Sequence, residues 1–242
     1  MLKPGIKQFL FAISILATST LFVMATKESV SKEAKGKNYN IREVLPPDAI
    51  PAIKNPEFVS AHEANIHPDE PIIGLSINGD SRAYSVYLLN SHEIVNDIVG
   101  GRPVVVAWCP LANLAAVYTR EIDDKVFTFG VSGKLLKNTL VMFDYETGSL
   151  WTAISGESIE GILKGNRLIE IASAQKITWE EWRRSHPDSK VLTYRGIETA
   201  GYDNYRDYHN SWLNTVIFPV ENKDNRLKDK SIVIGLDING KR

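Results

Sequence analysis

The chain has 242 residues, 43% of them hydrophobic and 24% charged, with a formal net charge of −1 and one cysteine. Such a balance leaves no electrostatic footprint for nucleic acid and no strong attraction to an anionic membrane surface, so neither is expected as a partner. A lone cysteine excludes an internal disulfide, so the fold must rest on a hydrophobic core, and the chain is long enough to bury one.

The chain opens with "MLKPGIKQFLFAISILATSTLFVMATKES". Lys3 and Lys7 form a basic head, Phe9–Met24 is uncharged and apolar, and Val23 and Ala25 stand at the minus-three and minus-one positions of a cleavage after Ala25. This is the layout of a secretory signal over residues 1–25, and the apolar stretch is short against the ~20 residues of a membrane span. An uncleaved N-terminal membrane anchor is the alternative. Either one predicts an exported protein, periplasmic or extracellular. No cysteine follows the apolar stretch, which speaks against a lipid-modified N-terminus. Residues 26–45, with "TKESVSKEAKGKN", are polar and lysine-rich and read as a flexible linker.

Residues 46–200 read as one β-rich domain. "PIIGLSINGDSRAYSV" is two β-type runs around Asn78-Gly79, a strong hairpin signal. Leu88–Asp97, "LLNSHEIVND", predicts a short helix with Leu89, His92 and Asn96 on one face, ended by Gly100-Gly101. "RPVVVAWC" predicts a buried strand. "LAAVYTREIDDKVFTFGVSG" predicts a hairpin turning at Asp123-Asp124, and "TLVMFDYETGSLWTAISG" another turning at Glu146–Gly148. In "ITWEEWRRSHPDSKVLTY", Thr178 as N-cap and Glu181 three residues on form a capping-box pattern. Pro187 stops that helix, and Val191–Tyr194 follows as a strand. The sum is a mainly antiparallel β or α+β fold, with many short hairpin-linked strands and a few short helices. Residues 201–242 form an extension. There "IIGLSING" of residues 72–79 returns as "VIGLDING" at 233–240, which reads as the start of a duplicated unit in a chain cut from a longer protein.

Cys109 ends the apolar strand immediately before Pro110. It is either a small apolar core residue or a reactive group, and an active thiol needs a cation or imidazole nearby to lower its pKa. His92 is the natural partner. A helix–strand unit would bring it to Cys109 as base to nucleophile, or as second ligand of copper or zinc; a hydrogen-bonded structural histidine is the alternative. Glu93 falls off the helical face of His92 and is not expected beside it. Trp108 and Trp151, core residues by type, would wall a pocket next to Cys109. His62 and His67 lie in a polar loop, His186 at a helix C-terminus, and His209 in "GYDNYRDYHNSW", whose spacing matches no calcium loop. "FGVSGKLLKN" lacks the phosphate-loop spacing, and Ser132 lacks a nucleophile elbow.

"LNSHEIVNDIVGGRPVVVAWCPL", "FTFGVSG", "LVMFDYETGSLW" and "ITWEEWRRSHPDSKVL", in that order, resemble the domain-of-unknown-function family 3179, and "GYDNYRDYHN" with "IFPVENKDNRLKDKSIVIGLDING" looks like its downstream part. The resemblance implies an exported or membrane-anchored prokaryotic protein without an assigned activity. It also implies a second cysteine three residues after the first, where this chain has Ala112, and a Leu-Trp-Ser-Gln where this chain has Leu150-Trp151-Thr152-Ala153. Dithiol–disulfide exchange within one chain is thereby lost, and a soft metal site would lack half its sulfur. The expectation is an exported protein with a thiol- or metal-dependent site around Cys109 and His92, and an extracytoplasmic small molecule, metal or protein as partner. Whether it is an enzyme is left open. The alternative is a non-catalytic binding or structural module whose site has decayed.

Overall fold

In the computed structural model, described for residues 39–198, 203, 205–210, 216–220 and 225–233, the run "RPVVVAWC" is strand β6 (Arg102–Cys109). It is the middle of a three-stranded antiparallel sheet, between β5 (Ile94–Val99) and β7 (Leu114–Thr119). Its apolar run is continuous because both faces are covered. Val104, Val106 and Trp108 pack into one cluster with Leu75, Tyr84 and Leu192. Val105, Ala107 and Cys109 point the other way, into a second cluster with Phe129, Met142 and Trp151.

Each cluster is closed by a five-stranded sheet. The first, in the order β14 (Gln175–Thr178), β3 (Pro71–Ile77), β4 (Asp80–Ser85), β15 (Lys190–Thr193) and β2 (Glu57–Ser60), is antiparallel except for the β4–β15 pair. The second is β1 (Ile41–Glu43), β10 (Phe129–Leu136), β11 (Thr139–Asp144), β12 (Leu150–Thr152) and β13 (Ser158–Glu160), antiparallel throughout. The mainly antiparallel β fold is therefore as expected. Strand β1 lies within the stretch that the composition read as linker.

The turns follow local chemistry. Asn78 and Gly79 both take positive φ, 50° and 80°, and close the β3–β4 hairpin. Asp123 and Asp124, at 48° and 62°, turn β8 (Glu121–Ile122) into β9 (Lys125–Val126). That hairpin is short, because β7 before it pairs with β6 and β10 after it with β11. Helix α2 (Trp179–Ser185) carries the expected capping box of Thr178 and Glu181.

One expectation is overturned. The helix read over Leu88–Asp97 is confined to α1 (Val86–Leu89), and Ile94–Val99 is strand β5. Glu93 takes φ 57°, which ends the helical path, and the β-branched Ile94, Val95, Ile98 and Val99 pair with β6 from Ile94↔Ala107 to Val99↔Arg102. Leu89, His92 and Asn96 therefore share no helical face. Instead the Asn96 side chain bridges to β10, donating to the Phe129 carbonyl and accepting from the Phe129 N–H, both at 2.8 Å. Gly100-Gly101 forms the β5–β6 turn; a Cβ on Gly100 would stand 2.1 Å from the Ile77 carbonyl oxygen.

The second copy of the "IIGLSING" pattern lies, apart from Val233, outside the described residues. Among the described residues, no helix is long and apolar enough to cross a membrane.

Candidate functional site: a buried thiol beside a carboxyl

Strand β6 ends at Cys109 and returns as β7 through Pro110–Asn113, with Asn113 at φ 51° and Cys109 paired to Leu114. Pro110 has no N–H to continue a ladder, so the chain turns there and wraps its next amides around the sulfur. Backbone groups of Ala112, Leu140 and Leu111 hydrogen-bond the thiol, with the Leu140 N–H 3.4 Å from Sγ. Cys109 is only 2% exposed. Burial, and then the charge of Glu93, push its thiol up to about 11, against the smaller opposing effect of those amides.

Glu93 reaches this position through the strand pairing. The Trp108 N–H donates to the Glu93 carbonyl at 2.7 Å, which extends the β5–β6 register by one step and sets Glu93 beside the end of β6. The carboxyl is buried, and desolvation alone pushes it up to about 7.

Helix α3 (Arg206–Asn210) and the residues before it complete the surroundings. Trp108 Nε1 donates to Asn90 Oδ1 at 2.8 Å, and Asn90 Nδ2 donates to Asp203 Oδ1 at 3.1 Å. The Tyr205 N–H donates to the same Asp203 oxygen at 2.9 Å. This relay ties the segment to β6. The Tyr205 phenol is raised by burial and then by the charges of Glu93 and Cys109. The Tyr208 hydroxyl donates to the Leu111 carbonyl at 3.3 Å.

The residues singled out in the sequence are distributed differently. His92 is buried, but its Nδ1 donates to the Pro51 carbonyl at 2.8 Å, and its ring stands edge-on to Tyr194 at 4.4 Å. The carboxyl of Glu93, not the imidazole of His92, acts on the Cys109 thiol. Trp151 shares the cluster of Cys109, held by Nε1 donating to Asp144 Oδ2 at 2.8 Å; Trp108 lies on the opposite face of the sheet. Ala153 belongs to the Cys109 cluster as well, so both alanine departures lie close to the thiol. Among the described residues, no three His, Cys, Asp and Glu side chains stand together as a metal site.

His62 and His67 are exposed, and His186 stacks on Trp182 at 3.8 Å as the C-cap of α2. Ser132 donates to the Val141 carbonyl at a bulge in β10. One cleft of about 270 Å³ is lined by Arg42, Lys137 and Pro219, another of about 380 Å³ by Ile66, Trp179 and Arg183. Neither is lined by Cys109 or Glu93. Sequence reasoning set Glu93 aside as lying off the helical face of His92, and missed Tyr205. For Glu93 a signal was present: it directly precedes the β-branched run that becomes β5.

A β-rich domain with a thiol and a carboxyl buried at one strand end is the class that fold and site define. The chain belongs to the family described as protein of unknown function (DUF3179), whose model matches residues 47–242. No curated protein and no solved structure matches it.

Proposed function

We propose that this is an exported protein with a thiol-dependent site, in which Cys109 is the reacting group and Glu93 its proton acceptor. The observation that carries the reading is the Glu93 carboxyl, buried beside the thiol and poised at about 7. A carboxyl held there by burial, with no cation among the described residues to offset the desolvation, destabilises the fold, and perturbed groups of this kind concentrate at functional sites. At neutral pH it exchanges protons readily, as a general base must. The Sγ proton passes to Glu93 while the amides of Leu111, Ala112 and Leu140 face the sulfur as it becomes a thiolate. The thiolate then adds to a carbonyl carbon of the substrate, the S–C bond forming as the C=O π pair moves to oxygen. In the closed resting state the gap between about 11 and about 7 corresponds to roughly 5 kcal/mol at about 1.36 kcal/mol per unit. Substrate binding has to supply that difference. The basic head, apolar stretch and small residues before Thr26 support export, and N-terminal sequencing of the exported protein is expected to begin at Thr26.

The test is alkylation of native Cys109 by iodoacetamide, followed by intact mass across the range from about pH 5 to pH 10. If thiol and carboxyl share a proton, the rate rises with pH, flattens above about 7 as Glu93 ionises, and rises again toward the thiol's own titration. Glu93→Gln removes the flat region and lets the rate climb without interruption. A native thiol that no reagent reaches until denaturant is added would overturn the proposal and leave the scaffold without chemistry. So would a smooth profile identical in both proteins.

A further inference from the structure

Beside the thiol–carboxyl pair, α3 carries a histidine whose ring is only half used. Nε2 of His209 is buried and has no hydrogen-bond partner among the described residues. The ring donates to the Pro110 carbonyl, so the other nitrogen carries the proton and Nε2 is a bare acceptor in the neutral form. Two ammonium groups act on this imidazole, Lys176 and Lys230. Lys176 Nζ stands 5.0 Å from the Trp108 ring and donates to Asn113 Oδ1. Lys230 Nζ stands 4.5 Å from the Tyr208 ring and donates to the Tyr208 carbonyl. Each ammonium has three N–H donors, and each spends one on these contacts. The carboxylate acting on the cluster is Asp203, already engaged by Asn90 and the Tyr205 N–H. Among the described residues, two cations and one carboxylate act on this imidazole, and Glu93, the carboxyl by the thiol, is not one of them, so positive charge is in surplus at its unpartnered buried nitrogen.

We propose that Lys176, Lys230 and His209 form a subsite for an oxyanion of the substrate, a carboxylate or a phosphate, next to the strand end that presents Cys109. The ammonium groups donate to the anion. The anion's charge draws a proton onto Nε2, which then donates to it too. The residues that place the cluster also belong to the thiol's turn. Lys176 lies over Trp108, His209 is bonded to Pro110, and Tyr208, which carries Lys230, is bonded to Leu111. This inference rests on the reading of Cys109 as the reacting group.

Two alkylating agents of nearly equal size, anionic iodoacetate and neutral iodoacetamide, test it on the mature protein. Cys109 is the single cysteine, so labelling reports this site alone. The ratio of the iodoacetate rate to the iodoacetamide rate is expected to exceed that of the same thiol in denaturant by roughly tenfold, the low end of electrostatic steering. It should fall with added sodium chloride, and fall again in Lys176→Gln and Lys230→Gln. Salt dependence in the unaltered protein keeps the test decisive if a variant folds poorly. Inorganic phosphate and acetate, added separately as competitors against iodoacetate, distinguish a phosphate from a carboxylate site. If both agents label the native thiol with the denatured-state ratio, the subsite is refuted and the thiol–carboxyl reading stands. If neither labels the native protein, both fall.

Discussion

Replacing Glu93 by glutamine should stabilise the protein, and by an amount that depends on pH. The carboxyl moves from an ordinary value of 4.5 to about 7 in the fold because burial disfavours its charge. The sign follows from proton binding. Below about 4.5 both the folded and the unfolded chain hold the proton, and the group is neutral to stability. Between 4.5 and about 7 the unfolded chain loses the proton first, so stability falls as pH rises. Above about 7 the loss is complete, at about 3 kcal/mol from a shift of roughly 2.5 units at about 1.36 kcal/mol each. Glutamine fills nearly the same volume and never ionises. Relative to the native protein, the variant should therefore gain about 1 kcal/mol near pH 5 and about 3 kcal/mol near pH 8. Urea unfolding of both proteins at the two pH values measures the difference, and contributions from titrating groups that the Glu93 charge does not act on cancel in it. An equal gap at both pH values, or a variant less stable near pH 8, would show that Glu93 ionises freely in the fold and would remove the physical basis of its role.

Three further substitutions separate structure from chemistry. Asn96→Ala strips both polar partners from the Phe129 backbone in a buried site and is expected to cost about 2–4 kcal/mol in chemical unfolding. Thr178→Ala opens the capping box of α2 and should cost about 1 kcal/mol, read as a lowered midpoint with unchanged m-value. His92→Phe should lower the melting temperature through the lost bond to Pro51, yet leave the pH profile of Cys109 labelling as it was; a changed profile would return His92 to the site.

Much of the fold was legible where local chemistry and tertiary demand agree. Asn78-Gly79 and Asp123-Asp124 are residues that tolerate positive φ, and both turns formed where that tolerance pointed. Thr178 and Glu181 satisfy each other within one turn of helix, so no distant contact is needed to form the cap. The failure over Leu88–Asp97 has a physical cause of the opposite kind. Apolar and polar groups there recur at helical spacing, but Ile94, Val95, Ile98 and Val99 gain a full ladder with β6 and burial between two sheets, which a short isolated helix cannot match. That choice depends on residues far along the chain. The same error bears on the candidate residues: a helix puts His92 forward and turns Glu93 aside, whereas the strand pairing brings Glu93 to the end of β6. Tyr205 was out of reach for a different reason, since the Trp108–Asn90–Asp203 relay that positions it joins residues more than a hundred positions apart.

The backbone of Glu93 ties these points together. At φ 57° a side chain bearing a Cβ is strained by about 1–2 kcal/mol, and glycine would occupy the position without that strain. The residue there is instead a glutamate whose carboxyl is itself costly to bury. Two unfavourable features coincide at one position, and neither is required for the helix-to-strand switch, which glycine would perform alone. Glu93→Gly isolates the two: it relieves the backbone and deletes the carboxyl, and should stabilise the fold near pH 8 at least as much as Glu93→Gln does. The flat region of the Cys109 labelling profile should vanish in both variants. If the glycine variant is instead less stable than the native protein near pH 8, the buried stem of Glu93 contributes more to packing than its charge and backbone take away. The residue is then held there for structure, not for the thiol.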